Sequence, residues 1–213
     1  MGYLDGFNKS NASAEQQAAF KYIITDLLRD NKRGSDKSQT IGASNMEDTY
    51  PASFIPSLFY VFLYIGGQEN KIGTKTFYDM VPVILCTGFD GSKVTGINFN
   101  FIPNNVRAGF MDLLTNGFKK YYEEDIFEES PKVDETLGFL LSNPKELSTL
   151  MAMAKDALHF DFSACVRSYD IKNIYRPRMI ENDMLDAIVN LSFSDAVRGI
   201  NLAKLQMQLI SEK

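Results

Sequence analysis

The sequence predicts an α+β fold: a small antiparallel β-sheet, built on a central hairpin over residues 76–102 and packed by several amphipathic helices. Three observations carry this expectation. The run Val81-Pro82-Val83-Ile84-Leu85-Cys86 is rich in β-branched residues and apolar on both faces, as a buried strand is. Residues 94–102 then alternate, with Ile97, Phe99 and Phe101 on one side and Gly96, Asn98 and Asn100 on the other. Elsewhere the large apolar residues recur at spacings of three and four, the period of a helix with one buried face.

Taken in order, residues 1–12 show no periodicity and read as an arm. Ser13 opens a helix with Gln16 as its capping-box partner. Phe20, Ile23, Ile24, Leu27 and Leu28 form its stripe, and Asn31 and Gly34 end it. Residues 31–48 are polar and nearly without apolar anchors, which marks a linker or a segment that orders on a partner. The chain therefore divides into 1–48, an N-terminal arm, helix and polar linker, and 49–213, a single α+β domain. The most apolar stretch, 54–65, contains Pro56 and Ser57 and falls well short of the about 20 residues a membrane span requires. Its Phe54, Leu58, Phe59, Phe62 and Tyr64 form either a buried segment or a surface that docks on a partner.

In the hairpin, Gly88, Asp90 and Gly91 supply the turn, and Pro82 suits only an edge or the first residues of its strand. Pro103 ends the second strand, and Asn104 or Asn105 is placed to cap a helix bearing Val106, Phe110, Leu113, Leu114, Phe118 and Tyr121 on one face. Another helix opens at Asn143-Pro144, with Glu146 closing a capping box and Leu147, Leu150, Met151, Ala154 and Leu158 inward. Residues 165–180 are basic and β-compatible around Arg178-Met179-Ile180. A last helix is expected after Ser194, with Val197, Ile200, Leu205 and Leu209 inward.

Composition excludes several function classes. One His and two Cys leave no room for a histidine-rich metal site, a cysteine zinc finger or a disulfide scaffold. A chain of 213 residues buries enough surface to fold without such staples. Twenty-two cations against 27 anions give a net charge of −5, hence no global attraction to nucleic acid. The N-terminus lacks the basic start and apolar core of a secretory signal, and Cys86 and Cys165 read as buried free thiols of a reducing compartment.

Catalytic constellations are equally scarce. His159, the only imidazole, lies in Leu158-His159-Phe160-Asp161-Phe162, where a packed, hydrogen-bonded side chain is expected, and Cys165 nearby forms no nucleophile motif. Glu123, Glu124, Asp125, Glu128 and Glu129 read as a solvated helix exit. Asp79, just before the buried strand, is placed to anchor a turn or to pair with an Arg. Gly66-Gly67 and Gly88-x-x-Gly91 lack the Lys-Ser/Thr ending of a phosphate-cradling loop. The Asn98/Asn100 face is expected to be a solvated sheet face rather than a recognition surface. No catalytic residue, metal ligand or cofactor is assigned.

One local charge anomaly remains. Arg167, Lys172, Arg176 and Arg178 stand against Asp170 alone, with Tyr169 and Tyr175 interleaved. Such a segment suits a protein partner, where Arg and Tyr are enriched at hot spots. It also suits internal pairing with the acidic 123–129 run, or phosphate contact with Tyr stacking on bases.

Tyr78-Asp79-x-x-Pro82, then Gly96-Ile97-Asn98-Phe99-Asn100-Phe101-Ile102-Pro103 and Arg107, and later Cys165-Val166-Arg167-x-Tyr169 with Arg176 and Arg178, form an ordered set. Together they resemble a family of small tailed-bacteriophage proteins, some described as DNA-end protectors and others as virion proteins. The resemblance spans roughly residues 76–190 and leaves the first 70 or so unmatched. The family tends to carry a Trp near residues 184–187 and a second Pro after the position of Pro103; this chain has no Trp and has Asn104 there. The resemblance implies a non-enzymatic structural or assembly component of a tailed-phage virion, made in the host cytoplasm. It would dock on other virion proteins in an oligomeric assembly. The alternative it implies is a DNA-binding protein that protects or holds the ends of packaged double-stranded DNA.

Overall fold

A computed structural model describes residues 14–32, 54–56, 58–65, 70–72, 75–114, 144–180, 184–193, 196–198 and 201–210. The expected arm, most of the polar linker, Ser194, Ile200 and the acidic 123–129 run lie outside these residues. The fold is α+β, with a five-stranded antiparallel sheet, a three-stranded one and flanking helices.

The apolar stretch becomes strand β1 (Phe59–Tyr64), and both of its faces are buried. Phe59, Val61 and Leu63 enter a large core shared with the helices, while Tyr60, Phe62 and Tyr64 enter a second, mostly aromatic one. This is why the stretch shows no alternation: a strand covered on both sides has no position for a polar residue. Phe54, Phe59 and Phe62 are buried and Leu58 is half-buried, so of the two readings of this stretch the buried segment is the one the fold adopts, and these residues form no docking surface. Tyr60 fixes the entry to the strand by accepting the Ile55 amide at 2.9 Å.

The expected strand through residues 76–87 is two strands, β3 (Lys75–Asp79) and β4 (Val83–Phe89). The break falls at Met80–Pro82, where Pro82 has no amide to give a ladder. A short β2 (Asn70–Ile72) precedes β3, and β5 (Lys93–Asn98) follows β4 across a tight turn. In that turn Asp90 Oδ1 accepts the Ser92 and Lys93 amides at 2.8 and 2.7 Å, and Gly91 takes a φ of +88°. The second hairpin strand stops at Asn98, and Phe99–Phe101 is a 3-10 turn rather than more strand.

The basic segment holds two strands, β6 (Val166–Asp170) and β7 (Ile174–Met179), joined by a single 3-10 turn at Ile171–Asn173. The large sheet has the order β6-β5-β4-β1-β7, so that one turn links its two opposite edges. In a flat sheet those edges would lie about 19 Å apart, four spacings of roughly 4.8 Å. Four residue steps reach at most about 14 Å even when fully extended, and a 3-10 turn reaches less. The sheet is therefore rolled into a partly closed barrel. Register shifts between Cys86 and Gly88 on β4, and between Val61 and Leu63 on β1, mark irregularities of the kind that bend strands. Fold alone implies no function. Gly96 on β5 leaves no room for a side chain against β4: a Cβ there would lie 2.6 Å from the Leu85 carbonyl oxygen.

Helices close the outer face. In α1 (Ala14–Lys32), Phe20, Ile24 and Leu27 are buried in the same core as β1, so this helix packs into the α+β domain instead of standing with the arm. Helix α2 (Asn104–Asp112) begins after Pro103 without side-chain capping, so neither Asn104 nor Asn105 plays the expected role. Helix α3 (Pro144–Leu158) starts where Asn143-Pro144 predicts and buries Leu150, Ala154 and Leu158. A short α4 (Leu185–Val189) follows β7. The expected final helix is divided: Val197 belongs to β8 (Val197–Arg198), and α5 (Leu202–Leu209) starts later, capped by Asn201 Oδ1 on the Lys204 amide. Strand β8 pairs with β3, completing the order β2-β3-β8 of the small sheet.

Candidate functional site

The chemistry-bearing residues of the central region converge on one buried cluster. Asp79 ends β3, Asn98 ends β5, Asn100 lies in the 3-10 turn and Tyr169 is in β6. Asp79 is 3% exposed and the other three are completely buried. Asn98 Nδ2 donates to both Asp79 Oδ2 and the Tyr169 hydroxyl, the latter at 2.7 Å. Asn100 Nδ2 donates to Asp79 Oδ1 at 2.8 Å and to the Val81 carbonyl at 3.0 Å. Asn98 Oδ1 in turn accepts the Asn100 amide at 2.9 Å, the bond that tightens the chain into a 3-10 turn. The Asn98/Asn100 face is thus an interior polar network, not a solvated sheet face.

Burial dominates the electrostatics of this cluster. Desolvation raises the Asp79 pKa to about 7, against the opposing pull of Asn98, Asn100, the Val81 amide and the Arg167 charge. Tyr169 is raised well above the ordinary phenol range, first by burial and then by the Asp79 charge. Its ring packs edge-on against Phe62 and Tyr64, with centroids 5.2 and 5.0 Å away. A side chain so enclosed has no face left for a base, which corrects the expectation that Tyr169 stacks on a ligand. Asp79 anchors β3 to β5, as its position before the buried strand suggests; it offers no surface to a substrate.

Arg107 is the second buried ionic group, 1% exposed on α2. Its Nε donates to the Ile102 carbonyl at 2.6 Å, and its Nη1 donates to the Ile188 and Leu191 carbonyls at 2.9 and 2.8 Å. The guanidinium lies 4.6 Å from the centroid of the Phe193 ring. It closes the C-terminal end of α4, where free carbonyls and the helix dipole favour a cation. Burial pulls its pKa down to about 9, so it stays charged at neutral pH.

The basic segment is dispersed by the fold. Arg176 and Arg178 reach Asp26 of α1 at 3.0 and 3.7 Å, so these two cations are paired internally, with a helix. Arg176 holds a φ of +49°, a conformation an L-residue adopts at a cost and only when its surroundings demand it. Arg167 lies 5.3 Å from the Phe101 ring centroid and donates to the Val166 carbonyl at 2.6 Å. Lys172 is exposed at the β6–β7 turn, and Tyr175 is half-buried against the larger core. The six residues singled out thus form no single surface.

The remaining candidates are quiet. His159 is exposed, not packed: at φ +50° it terminates α3 in the left-handed conformation that His tolerates better than most residues. Burial pushes the Cys86 and Cys165 thiols up to about 11 and 12, so both stay protonated and unreactive at neutral pH. Among the described residues, no group of three or more His, Cys, Asp and Glu side chains is placed to hold a metal ion, and no helix is long and apolar enough to cross a membrane.

Asp26 and the capping role of Arg107 escape sequence reasoning. Asp26 had a faint signal, an acid directly beside the apolar stripe of α1 at Ile23 and Leu27. No protein-family model, curated protein or solved structure matches the chain.

Proposed function

We propose that this chain is a non-enzymatic structural or assembly component of a tailed-phage virion, working by docking on neighbouring virion proteins. One observation carries the reading. The residues of the phage-like set are far apart in sequence, yet Asp79, Asn98, Asn100 and Tyr169 meet in one sealed network and Arg107 closes a helix end behind it. A shared pattern of this kind describes a common scaffold, because its residues hold the fold and face no solute. Its polar groups are spent on the interior, which suits a building block better than a catalyst. The second reading, protection or holding of packaged DNA ends, comes from the same resemblance and has Lys172 exposed at a turn in its favour. The pairing of Arg176 and Arg178 with Asp26 weakens it, since two of its four phosphate contacts are already engaged.

Two experiments test these readings. An antibody raised against the chain should label density-purified phage particles; signal confined to the particle-free fraction of an infected lysate would exclude the virion reading. A gel-shift titration against linear and closed-circular duplex DNA, at low and moderate salt, tests the second. Binding that prefers ends and weakens steeply with salt would promote the DNA reading. No shift at low salt would remove it.

A further inference from the structure

The Asp79 cluster also sits at a mechanical joint. Strand β3 belongs to the three-stranded sheet through Tyr78 and Asp79, which pair with Arg198 and Val197 of β8. Its last residue turns into the barrel, where donors from β5 and the following turn hold the carboxyl group. The Met80 amide beside it donates to Ala196 at 2.8 Å, and the Met80 carbonyl accepts Tyr64 of β1 at 2.8 Å. Undocking the small sheet therefore requires Asp79 to leave its donors and meet water.

The side-chain amide donors of the cluster are fully committed. Both Nδ2 protons of Asn98 are used, on Asp79 and Tyr169, and both of Asn100 are used, on Asp79 and Val81. Asn100 Oδ1, fully buried, has no donor. The hydrogen bonds that reach Asp79 from Asn98 and Asn100 come from neutral amides, and its burial disfavours the charged form. Among the described residues, the charged and titratable groups acting on Asp79 and its partners are Arg167 and Tyr169 from β6 and, through Tyr169, Tyr64 from β1. The residue paired with Asp79 on β8, Val197, is apolar, and so is Val81, next to β4.

We infer that Asp79 is a proton-sensitive latch between the three-stranded sheet and the barrel, tightened when the carboxyl is protonated and loosened when it ionises. The direction follows from linkage. Docked, the group titrates at about 7; exposed to water it titrates at about 4. Between those values the docked form keeps a proton that the open form gives up, so docking weakens as pH rises through the interval and levels off above about 7. This is the reverse of the usual acid-labile carboxylate.

Amide hydrogen exchange on the full-length chain between pH 5 and 8, corrected for intrinsic rates, reads the latch directly. The protection factor of the Met80 amide should fall by up to about tenfold per pH unit from pH 5 towards 7, then flatten. Asp79→Asn should abolish that slope. A flat wild-type profile, or a slope that survives in Asp79→Asn, overturns the inference. Should Asp79→Asn fail to fold, the carboxyl carbon shift of Asp79 in aspartate-labelled wild-type protein decides instead. A midpoint near 7 supports the latch, and one below about 5 overturns it.

Discussion

Two aspartates bind distant parts of this chain together, and they do so by opposite means. Asp26 meets two guanidinium groups where all three side chains keep some contact with water. Asp79 is sealed inside and is held chiefly by the amide donors of Asn98 and Asn100, with the Arg167 charge a lesser influence. At the rim, water already solvates both charges, so bringing them together gains little. In the interior no such substitute exists, and each missing donor leaves a group without solvation of any kind. Donor count, rather than opposite charge, is what makes a buried carboxylate tolerable. Arg107 is the mirror case: a buried cation held by carbonyl oxygens.

This contrast can be broken by mutation. The largest loss is expected for Arg107→Ala, which removes a charged donor from the carbonyls of Ile102, Ile188 and Leu191 and empties the buried space its side chain fills; urea denaturation should show about 3–5 kcal/mol lost. Asn98→Ala takes a donor from Asp79 and another from Tyr169 and should lose about 2–3 kcal/mol in the same assay. Gly96→Ala tests barrel closure instead of solvation. Its methyl group would meet the Leu85 carbonyl, and a loss of about 1–3 kcal/mol is expected from overpacking. Asp26→Ala should be mildest, at most about 1 kcal/mol, and its effect should shrink further in high salt. An Asp26→Ala variant as damaged as Asn98→Ala would refute the distinction between rim and interior.

The same contrast explains what the sequence made legible. Helix α3 begins at the expected Pro144, the stripe of α1 is buried as its spacing implies, and the β4–β5 turn uses Asp90 and Gly91. These features depend on neighbours a few residues away. The end of β5 departs from the expected alternation because Phe99 and Phe101 keep a two-residue spacing while buried in a 3-10 turn. What overrides the pattern is one side-chain bond, Asn98 Oδ1 to the Asn100 amide. Asn-x-Asn before Pro103 was the available clue. The partner of Arg176 and Arg178 is beyond local reasoning, since Asp26 stands far upstream and is brought near only by the packing of α1 into the core. The candidate site was half visible: Asp79 as an anchor and the two Asn side chains as a pair were named, but their meeting inside the molecule depends on sheet register.

The turn at Ile171–Asn173 has a temporal consequence as well as a spatial one. Strand β1 begins at Phe59, yet β7, which covers one of its edges, begins only at Ile174. During synthesis β1, β4 and β5 emerge before β7 exists, and so do α2 and α3. Contacts so distant in sequence are slow to form, because a long loop must be ordered before they stabilise anything. Until they do, the edge of β1 that β7 will cover stands unpaired, and a nascent chain in that state is the species most exposed to misassembly.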